Sequence, residues 1–390
     1  MSKTSAGQSR LVVGLISGTS TDGIDAALVR LNGPAAKPRV RMLAFVDHPY
    51  PPVIRQRLMN IAAGQAVTAG EISEVNFLLG GLFGEAALKV CRRAGISPKR
   101  VAVIGSHGQT IFHQGRALRS GMRASTLQIA EPAVIGEKSG VPVVANFRTA
   151  DIAAGGEGAP LVPMVDFLLL GDMRKGTVAL NIGGIANFTV IPPRARPQDV
   201  VGFDTGPGNM LIDGLVRHFT KGRKAYDQDG RLASQGAVIQ PLLEEMLKLE
   251  YFRRPPPKSA GREQFGADFL QRYFLSRRGA RLKDLLCTAT ELTARTIADA
   301  LKHFVLPKAR THRLIISGGG AHNRLLVGRL KALLPQLTVH SSEEYGLPID
   351  AKEAIAFAVL ADRTMHGLPG NLPSVTGAHK AAILGTITMP

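Results

Sequence analysis

Two strand-turn-strand patterns, one in each half of the sequence, restrict the fold more than any other feature. The first begins at Arg10 and reads LVVGLISG, a Gly/Ser/Thr turn and then IDAALVRL. The second begins near Thr177 and reads VALNIGG, followed by NFTVIPP. Apolar runs on both sides of a glycine turn predict antiparallel hairpins. We therefore expect each half to begin a related α/β domain. Because the two patterns share little sequence, the domains are expected to be related in topology and not as a sequence repeat.

Helix-like and strand-like segments follow each hairpin. Apolar residues recur every three or four positions in residues 69–95 and 282–305, which predicts two long helices. Short apolar runs with glycine turns predict further strands in RVAVIGSHG, VPVVANF and HRLIISGGGAHN. This alternation indicates an α/β fold whose parallel or mixed sheets carry helices on their faces.

The length of the chain predicts two domains, because 390 residues with 45% hydrophobic content are more than a single hydrophobic core usually accommodates. The loop-like ADIAAGGEGAP places the boundary near Ala145 to Pro160. We expect an N-terminal domain of residues 1–150 and a C-terminal domain of residues 151–390, with the C-terminal segment packing back on the first. Residues 253–266 are too rich in Pro and Gly for the interior of an element and are expected to border a cleft.

Composition argues against several classes of protein. The first ten residues lack the apolar core of a signal peptide, and Asp166 interrupts the longest apolar run, so no membrane segment is expected. Two cysteines, Cys91 and Cys287, fit a reducing cytoplasm. The net charge of +18 would attract nucleic acid, but Arg and Lys are spread evenly and only 5% of residues are aromatic. We expect no nucleic acid and no membrane partner.

Four glycine-rich turns follow strand-like runs, at Ser17, Asn181, Gly202 and Ser317. Glycine lets a ligand approach the backbone, whose N–H groups can bind phosphate oxygens. One such turn is explained equally well by a tight hairpin, whereas four in one chain favour a phosphate site. Neither G-x-x-x-x-G-K-[ST] nor G-x-G-x-x-G occurs. Phosphate held by two hairpin loops from two domains around a central cleft is characteristic of the actin/Hsp70/sugar-kinase fold.

Eight motifs in order then resemble the anhydro-N-acetylmuramic acid kinases. They include GLISGTSTDGIDAALV, GSHGQTIFH, LNIGGIAN, GFDTGPGN, PPKSAGREQF, SGGGAHN and DAKEAIAFA, and the longest begins at QIAEPAVIGE. Together they extend from Gly14 to about Ala358. Three positions depart from the family pattern: Thr21 replaces an aliphatic residue, and Ala260 and Gly266 replace the usual Thr and Asn.

This resemblance implies ATP-dependent conversion of 1,6-anhydro-N-acetylmuramic acid into N-acetylmuramic acid 6-phosphate, a step of cell-wall (peptidoglycan) recycling. Water would open the anhydro bridge at C1 while the freed O6 takes the γ-phosphoryl group. ATP and Mg²⁺ are the implied cofactors, and members of the family commonly form homodimers.

Asp204, in GFDTGPGN, is the expected catalytic residue. Because O6 is locked in an ether, the proton to be removed is on water, and a carboxylate near the phosphates can activate that water as in an inverting glycosidase. The alternative is that Asp204 caps the helix expected near Met210. The resemblance favours the role of a general base.

The nucleotide-binding residues follow from the same resemblance. The first loop is similar to the family's ATP-binding stretch, and Asp22 is expected to hold Mg²⁺ through water. A polar hairpin turn is the alternative for that loop, and a helix N-terminus is the alternative for the last one. The expected cofactor-binding set is Gly18, Thr19, Ser20, Thr21, Asp22, Gly23, Ile24, Asp25, Asn181, Gly183, Gly184, Thr205, Gly206, and, on the adenosine side, Gly318, Gly319, Gly320 and Asn323.

The sugar-binding residues are expected in three further motifs. Glu353 resembles a family carboxylate near the substrate, although a solvated helix face would also explain it. Arg148 suits the lactyl carboxylate because its planar fork can bind both oxygens. The remaining members of the set are His107, Gln109, Thr110 and Asp151. The ten histidines show no metal-binding spacing, which leaves Mg²⁺ delivered with ATP as the expected metal.

Three rival functions stay open from the sequence. A kinase for another sugar or small acid would share the fold and the phosphate loops. A non-enzymatic ATP-dependent sensor would hydrolyse ATP slowly without stimulation by the sugar. A polyanion-binding protein would bind nucleic acid with steep salt dependence.

Overall fold

The computed structural model describes residues 9–18, 21–116, 122–277 and 279–390. The strands are β1 (Arg10–Ser17), β2 (Gly23–Asn32), β3 (Arg39–Pro49), β4 (Val103–Gln114), β5 (Ser125–Ile129), β6 (Val143–Ala145), β7 (Thr177–Ile182), β8 (Ile185–Ile191), β9 (Val201–Pro207), β10 (Arg313–Ser317), β11 (Thr338–Ser341) and β12 (Thr386–Thr388).

The helices are α1 (Pro52–Ala62), α2 (Ala69–Arg93), α3 (Pro132–Ser139), α4 (Thr149–Ala153), α5 (Val162–Leu170), α6 (Met210–Phe219), α7 (Gln240–Leu247), α8 (Glu250–Arg253), α9 (Arg262–Phe265), α10 (Ala267–Leu270), α11 (Leu282–Ala300), α12 (Arg324–Leu333), α13 (Lys352–Met365) and α14 (Pro373–Thr376). The two long helices expected from periodicity are α2 and α11. None of the helices in the described ranges has the length and hydropathy needed to cross a membrane.

The chain forms two compact units. Unit 1 contains Met1–Leu169 and Gly346–Pro390, and unit 2 contains Leu170–Tyr345. The observed division lies after Leu169 and not at residue 150, because residues 151–169 cluster with unit 1. The C-terminal segment, expected to pack back on the first domain, also clusters with unit 1. The C-terminal segment contributes α13 and β12 to that unit.

The sheets of the two units share one strand order. In unit 1 the order is β12-β6-β4-β1-β2-β3, with β5 paired to β4, and in unit 2 it is β11-β10-β7-β8-β9. Each sheet begins with an antiparallel three-strand meander. A later strand, β4 or β10, adds in parallel beside the first strand, and another, β6 or β11, adds in parallel beside that one. This duplication confirms the prediction of two related mixed-sheet domains and of both opening hairpins.

Helix α13 lies directly on the sheet of unit 1 because two strands offer glycine there. A Cβ at Gly14 would lie 1.8 Å from the carbonyl oxygen of Ala354, and one at Gly105 would lie 2.2 Å from that of Phe357. On the opposite face, α2 buries Val75, Leu79, Phe83 and Val90. The close helix contact fixes the first turn of α13, which carries Glu353, relative to β1 and β4.

Candidate active site

The loop after β1 is tied to β4 by side-chain hydrogen bonds in unit 1. The Ser17 hydroxyl donates to Oε1 of Gln109 at 2.6 Å, and Nε2 of Gln109 donates to the carbonyl oxygens of Gly18 at 3.3 Å and Thr110 at 3.2 Å. Ser17 and Gln109 are both 2% exposed. Gln109, expected to bind the sugar, therefore supports the first glycine loop through its buried side chain.

The rest of this loop has the backbone of a tight turn. Thr21 adopts a left-handed conformation with φ of 52°, and its N–H donates to the carbonyl oxygen of Gly18 at 3.2 Å. Gly23 starts β2, where a Cβ would lie 2.8 Å from the carbonyl oxygen of His48. Thr19 and Ser20, which the sequence assigns to ATP binding, lie outside the described residues.

Acidic side chains gather at the start of β2. Asp25 lies directly opposite Asp47 in the antiparallel register, and like charges at such positions disfavour ionisation. Burial, followed by the charges of Asp47, Glu353, Asp22 and Asp350, raises the pKa of Asp25 to about 7. Within the described ranges, no three or more His, Cys, Asp or Glu side chains converge as a metal site. The assignment of Mg²⁺ to Asp22 stays a prediction.

Buried His107, within β4, pairs with half-buried Arg148, the residue before α4. Nε and Nη2 of Arg148 lie 3.1 and 2.8 Å from Nε2 of His107, and Nη1 donates to the carbonyl oxygen of Gly158 at 2.8 Å. Because a guanidinium only donates, Nε2 of His107 must accept, which leaves the proton on Nδ1, 3.0 Å from the carbonyl oxygen of Gly108. Burial and then the charge of Arg148 lower the pKa of His107 well below its ordinary value, so this imidazole is neutral.

Glu353 belongs to the same region of unit 1. It lies in the first turn of α13 with solvent-accessible side-chain area. Desolvation of the carboxylate by the surrounding protein raises the pKa of Glu353, whereas the charges of Lys352 and Arg148 lower it. Lys352 itself is 6% exposed and forms an ion pair with Asp166 at 2.8 Å. Lys352 is therefore buried and not solvated, whereas Glu353 itself is exposed, so a solvated helix position stays the alternative for Glu353.

A cavity of about 350 Å³ adjoins His107 in unit 1. Its polar lining includes Asn76, Ser106 and Glu131. Asn76 accepts from the N–H of Ala130 at 2.9 Å and donates to Oε2 of Glu131 at 2.9 Å. Ser106 is 1% exposed, and its hydroxyl has no hydrogen-bond partner in the described part of the chain. Sequence reasoning missed these three residues, although QIAEPA, one of the motifs behind the resemblance, contains Glu131.

Two further residues assigned to the sugar hold the fold of unit 1 through their side chains. Asp151 is fully buried: Oδ1 accepts from Asn371 at 2.6 Å and from Thr376 at 2.7 Å, and Oδ2 accepts from the N–H of Gly158 at 2.8 Å. This burial corrects the expectation that its carboxylate faces sugar oxygens. The Thr110 hydroxyl accepts from Nε2 of Gln128 at 3.2 Å, across the β4–β5 pair.

Three glycine loops meet in unit 2, at the ends of β7, β9 and β10. Gly318 has a φ of 77°, and a Cβ there would lie 2.5 Å from Oδ1 of Asn181. Asn209 donates its N–H to the carbonyl oxygen of Gly183 at 2.8 Å, and its side chain approaches the Cβ positions of Gly319 and Gly320. Side chains at these glycines would fill the space where the loops approach one another.

Thr205 and Asn323 use their side chains within unit 2. The Thr205 hydroxyl donates to the carbonyl oxygen of Ala186 at 3.1 Å, and the residue is 1% exposed. Asn323 is the N-cap of α12 and accepts the N–H of Leu326 at 3.1 Å. Their side chains thus stabilise β9 and α12, and the backbone of Asn323 is also engaged, since its N–H donates to the carbonyl oxygen of Gly320 at 3.1 Å and its carbonyl oxygen accepts from Val327 at 3.0 Å.

Asp204 lies within β9, where the segment of residues 253–264, which includes the loop between α8 and α9, contacts it. Its N–H donates to the carbonyl oxygen of Lys258 at 3.0 Å, and its Oδ2 accepts the N–H of Ala260 at 2.8 Å. The Tyr251 hydroxyl donates to the Asp204 carbonyl oxygen at 3.0 Å. The N-cap of α6 is Asn209, so Asp204 does not cap that helix. The arrangement presents a half-buried, oriented carboxylate next to the glycine loops.

Comparison with known proteins gives one consistent result. Residues 10–390 match the family model described as anhydro-N-acetylmuramic acid kinase. A protein of that name from Caldanaerobacter subterraneus subsp. tengcongensis is 44% identical over 388 residues, which cover 98% of each chain. Another from Gloeobacter violaceus is 45% identical over 377 residues, covering 97% of this chain and 98% of the relative.

Proposed function

Because the chain belongs to the anhydro-N-acetylmuramic acid kinase family, we propose that it transfers the γ-phosphoryl group of ATP to O6 of 1,6-anhydro-N-acetylmuramic acid. Water adds to C1, the C1–O6 bond breaks, and O6 takes the phosphoryl group. The products are N-acetylmuramic acid 6-phosphate and ADP, in peptidoglycan recycling. A cytoplasmic location and a homodimer stay predictions from cysteine content and from the family resemblance.

The orientation of Asp204 is the observation that carries this proposal. A general base must present a fixed oxygen toward the proton that it removes. The N–H of Ala260 holds Oδ2 of Asp204, and the strand backbone is held by Lys258 and Tyr251. Asp204 then takes a proton from the water that attacks C1. Phosphorus captures the leaving O6, so the step needs no general acid.

Unit 1 supplies the groups for sugar recognition in this proposal. The hydrogen bonds to His107 and Gly158 use three of the five guanidinium N–H groups of Arg148. The others suit the lactyl carboxylate, which an arginine fork binds well. The exposed carboxylate of Glu353 and the polar cavity beside His107 suit hydroxyl and acetamido groups, which need both donors and acceptors, while both ring nitrogens of His107 are used in holding Arg148 and Gly108.

The glycine loops supply the groups for ATP. Backbone N–H groups in the loops that contain Gly18, Gly183, Gly206 and Gly318 are proposed to bind phosphate oxygens, because glycine lets a ligand approach the backbone closely. Mg²⁺ bound with ATP would neutralise phosphate charge. Asp22 is exposed at the start of β2, and its carboxylate fits contact with that ion through water.

The test is the reaction itself in ¹⁸O-labelled water. Purified protein receives Mg-ATP and 1,6-anhydro-N-acetylmuramic acid, ADP release is followed, and the product is examined by mass spectrometry. The expected product is a 6-phosphorylated sugar with the label at C1. An unlabelled phosphosugar would instead indicate a kinase for another acceptor, and ADP release that is independent of the sugar would indicate an ATP-dependent sensor.

A further inference from the structure

Lys258 is a buried lysine in the loop next to Asp204. It is 6% exposed, and its Nζ lies 4.8 Å from the centroid of the Tyr251 ring and 5.0 Å from that of Phe304. The ammonium also donates to the carbonyl oxygen of Tyr251 at 3.1 Å. Lysine is almost never buried this deeply, because desolvating its charge is costly. Two aromatic faces and a carbonyl offset part of that cost.

Aromatic contacts fix both ends of the loop, residues 253–264. Tyr251 and Phe252 precede it, and Phe265 follows it. The Phe252 and Phe265 rings stack with centroids 5.6 Å apart, and Tyr251 meets Phe265 edge-on at 5.2 Å. With the ends joined, Lys258 anchors the middle of the loop against Phe304 and Tyr251. The carbonyl oxygen of the same residue, Lys258, accepts the N–H of Asp204.

The anchored backbone determines where the carboxylate of Asp204 points. The carbonyl oxygen of Lys258 accepts the N–H of Asp204 at 3.0 Å. Two residues later, the N–H of Ala260 donates to Oδ2 of Asp204 at 2.8 Å. Rotation of the carboxylate away from this position would break the bond to Ala260. Ala260 uses only its backbone here, so its departure from the family's usual Thr leaves the contact intact.

We propose that Lys258 is a positioning residue for Asp204: its buried ammonium, held by the Tyr251 and Phe304 rings, fixes the loop whose backbone orients the carboxylate. The inference rests on the proposed function, in which Asp204 is the base. Positioning errors near 1 Å can cost a reaction about 10²-fold in rate. Removing the anchor should therefore lower kcat and leave ligand binding nearly unchanged.

Electrostatics agrees with this geometry. Burial, followed by the nearby charge of Arg254, lowers the pKa of Lys258 to about 8, whereas Asp204 acts in the opposite direction. The ammonium is therefore charged at neutral pH and keeps its attraction to the two rings. Arg254 also lies over the Tyr251 ring, 5.5 Å from its centroid, and is the second cation of this cluster.

The test compares Lys258→Met, which keeps the length of the side chain and removes the charge, with Lys248→Met at an exposed position. We expect kcat for sugar phosphorylation to fall about 10- to 100-fold in Lys258→Met, with KM for ATP and sugar within about twofold of wild type. Lys248→Met should match wild type. Thermal unfolding of each variant verifies that the protein is folded.

A double-mutant cycle separates positioning from a general structural role. If Lys258 acts through Asp204, then Lys258→Met should change kcat little in the Asp204→Asn background, because the effects of coupled residues do not add. An equal loss in both backgrounds, or a kcat for Lys258→Met equal to that of Lys248→Met, would overturn the inference. If Asp204→Asn itself retains wild-type kcat, the proposed base fails instead.

Tyr251→Phe provides a second variant that tests the inference even if Lys258→Met does not fold. It keeps the ring beside the ammonium and removes only the hydroxyl that donates to Asp204. We expect kcat to fall about 2- to 10-fold, in keeping with the loss of one hydrogen bond, again with unchanged KM values. Wild-type kcat in this variant would contradict the premise that contacts to the Asp204 backbone control its activity, and would overturn the inference.

Discussion

Units 1 and 2 share a strand order, but different kinds of contact fix their polar groups. In unit 1, hydrogen bonds between side chains join Ser17 to Gln109 and Arg148 to His107. In unit 2, backbone holds the candidate base, and glycine loops pack against one another. The polar groups of unit 1 should therefore respond to changes of protonation and side-chain chemistry, and those of unit 2 to a Cβ added in the glycine loops or to a displaced loop.

The largest effect is expected at Asp204, the carboxylate that unit 2 supplies to the proposed reaction. Asp204→Asn keeps the shape and still accepts the N–H of Ala260, but an amide cannot remove a proton from water. We expect kcat to fall about 10²- to 10⁴-fold, the usual contribution of a general base. Steady-state kinetics measure this, with exposed Asp268→Asn as the control. Activity near wild type would remove Asp204 from the mechanism.

An added methyl group tests whether the backbone of unit 2 is as sensitive as the comparison implies. Gly206 has a φ of 144°, and a Cβ there would lie 2.8 Å from Cε1 of Phe252. We expect Gly206→Ala to lower the free energy of unfolding by about 2–3 kcal/mol through strain and overpacking. Gly222→Ala is the control, because its φ of 78° is also positive but no atom lies within 4 Å of its Cβ position. Equal losses in the two variants would show that packing around Gly206 contributes nothing.

Removing the cation of unit 1 should affect binding more than turnover. Arg148→Met loses the charged donors that are proposed to hold the lactyl carboxylate. We expect KM for the sugar to rise about 10- to 100-fold, the range for hydrogen bonds to a charged group, with KM for ATP unchanged. Arg55→Met, at an exposed position on α1, serves as the control. A rise confined to the KM for ATP would place Arg148 with the nucleotide instead.

Local patterns were sufficient to predict the hairpins, the two long helices and the glycine loops. Each depends on periodicity or on glycine within a short window, and the structure confirms these elements. The family resemblance is confirmed over residues 10–390. Asp204 was singled out as the one acid within GFDTGPGN, and the structure removes the alternative that it caps α6.

Contacts between distant segments could not be predicted in this way. Asp151 is buried by Asn371 and Thr376, more than 200 residues later in the chain. Likewise, the hydrogen bond from the N–H of Ala260 to Asp204 joins residues that are 56 positions apart in the sequence. Neither pairing leaves a periodic signal. The location of α13 depends on the absence of a Cβ at Gly14 and Gly105, which is visible only once helix and sheet are placed together.

The neutral state of His107 predicts a pH dependence that belongs to unit 1. The unfolded chain binds a proton at His107 below a pKa of about 6.5, whereas the folded state resists it. Because the unfolded state then binds more protons, the free energy of unfolding should fall as pH drops below that value, by up to about 1.4 kcal/mol per pH unit. Denaturant unfolding between pH 7 and 5 measures the slope. His107→Gln should reduce it, and exposed His379→Gln should not; parallel curves for wild type and His107→Gln would contradict a neutral, excluded imidazole.

The smallest expected effect decides which ligand Gln109 serves. Ser17→Ala removes the 2.6 Å hydrogen bond to Oε1 of Gln109, a buried contact that should contribute about 1 kcal/mol to the free energy of unfolding. Because Gln109 also donates to the carbonyl oxygen of Gly18, its loosening should disturb the first glycine loop before any sugar contact. We expect KM for ATP to rise by less than about fivefold while KM for the sugar stays constant, with exposed Ser125→Ala as the control. A rise in the KM for the sugar alone would return Gln109 to the sugar site that its motif first indicated, and would show that the side-chain contacts of unit 1 serve one ligand only.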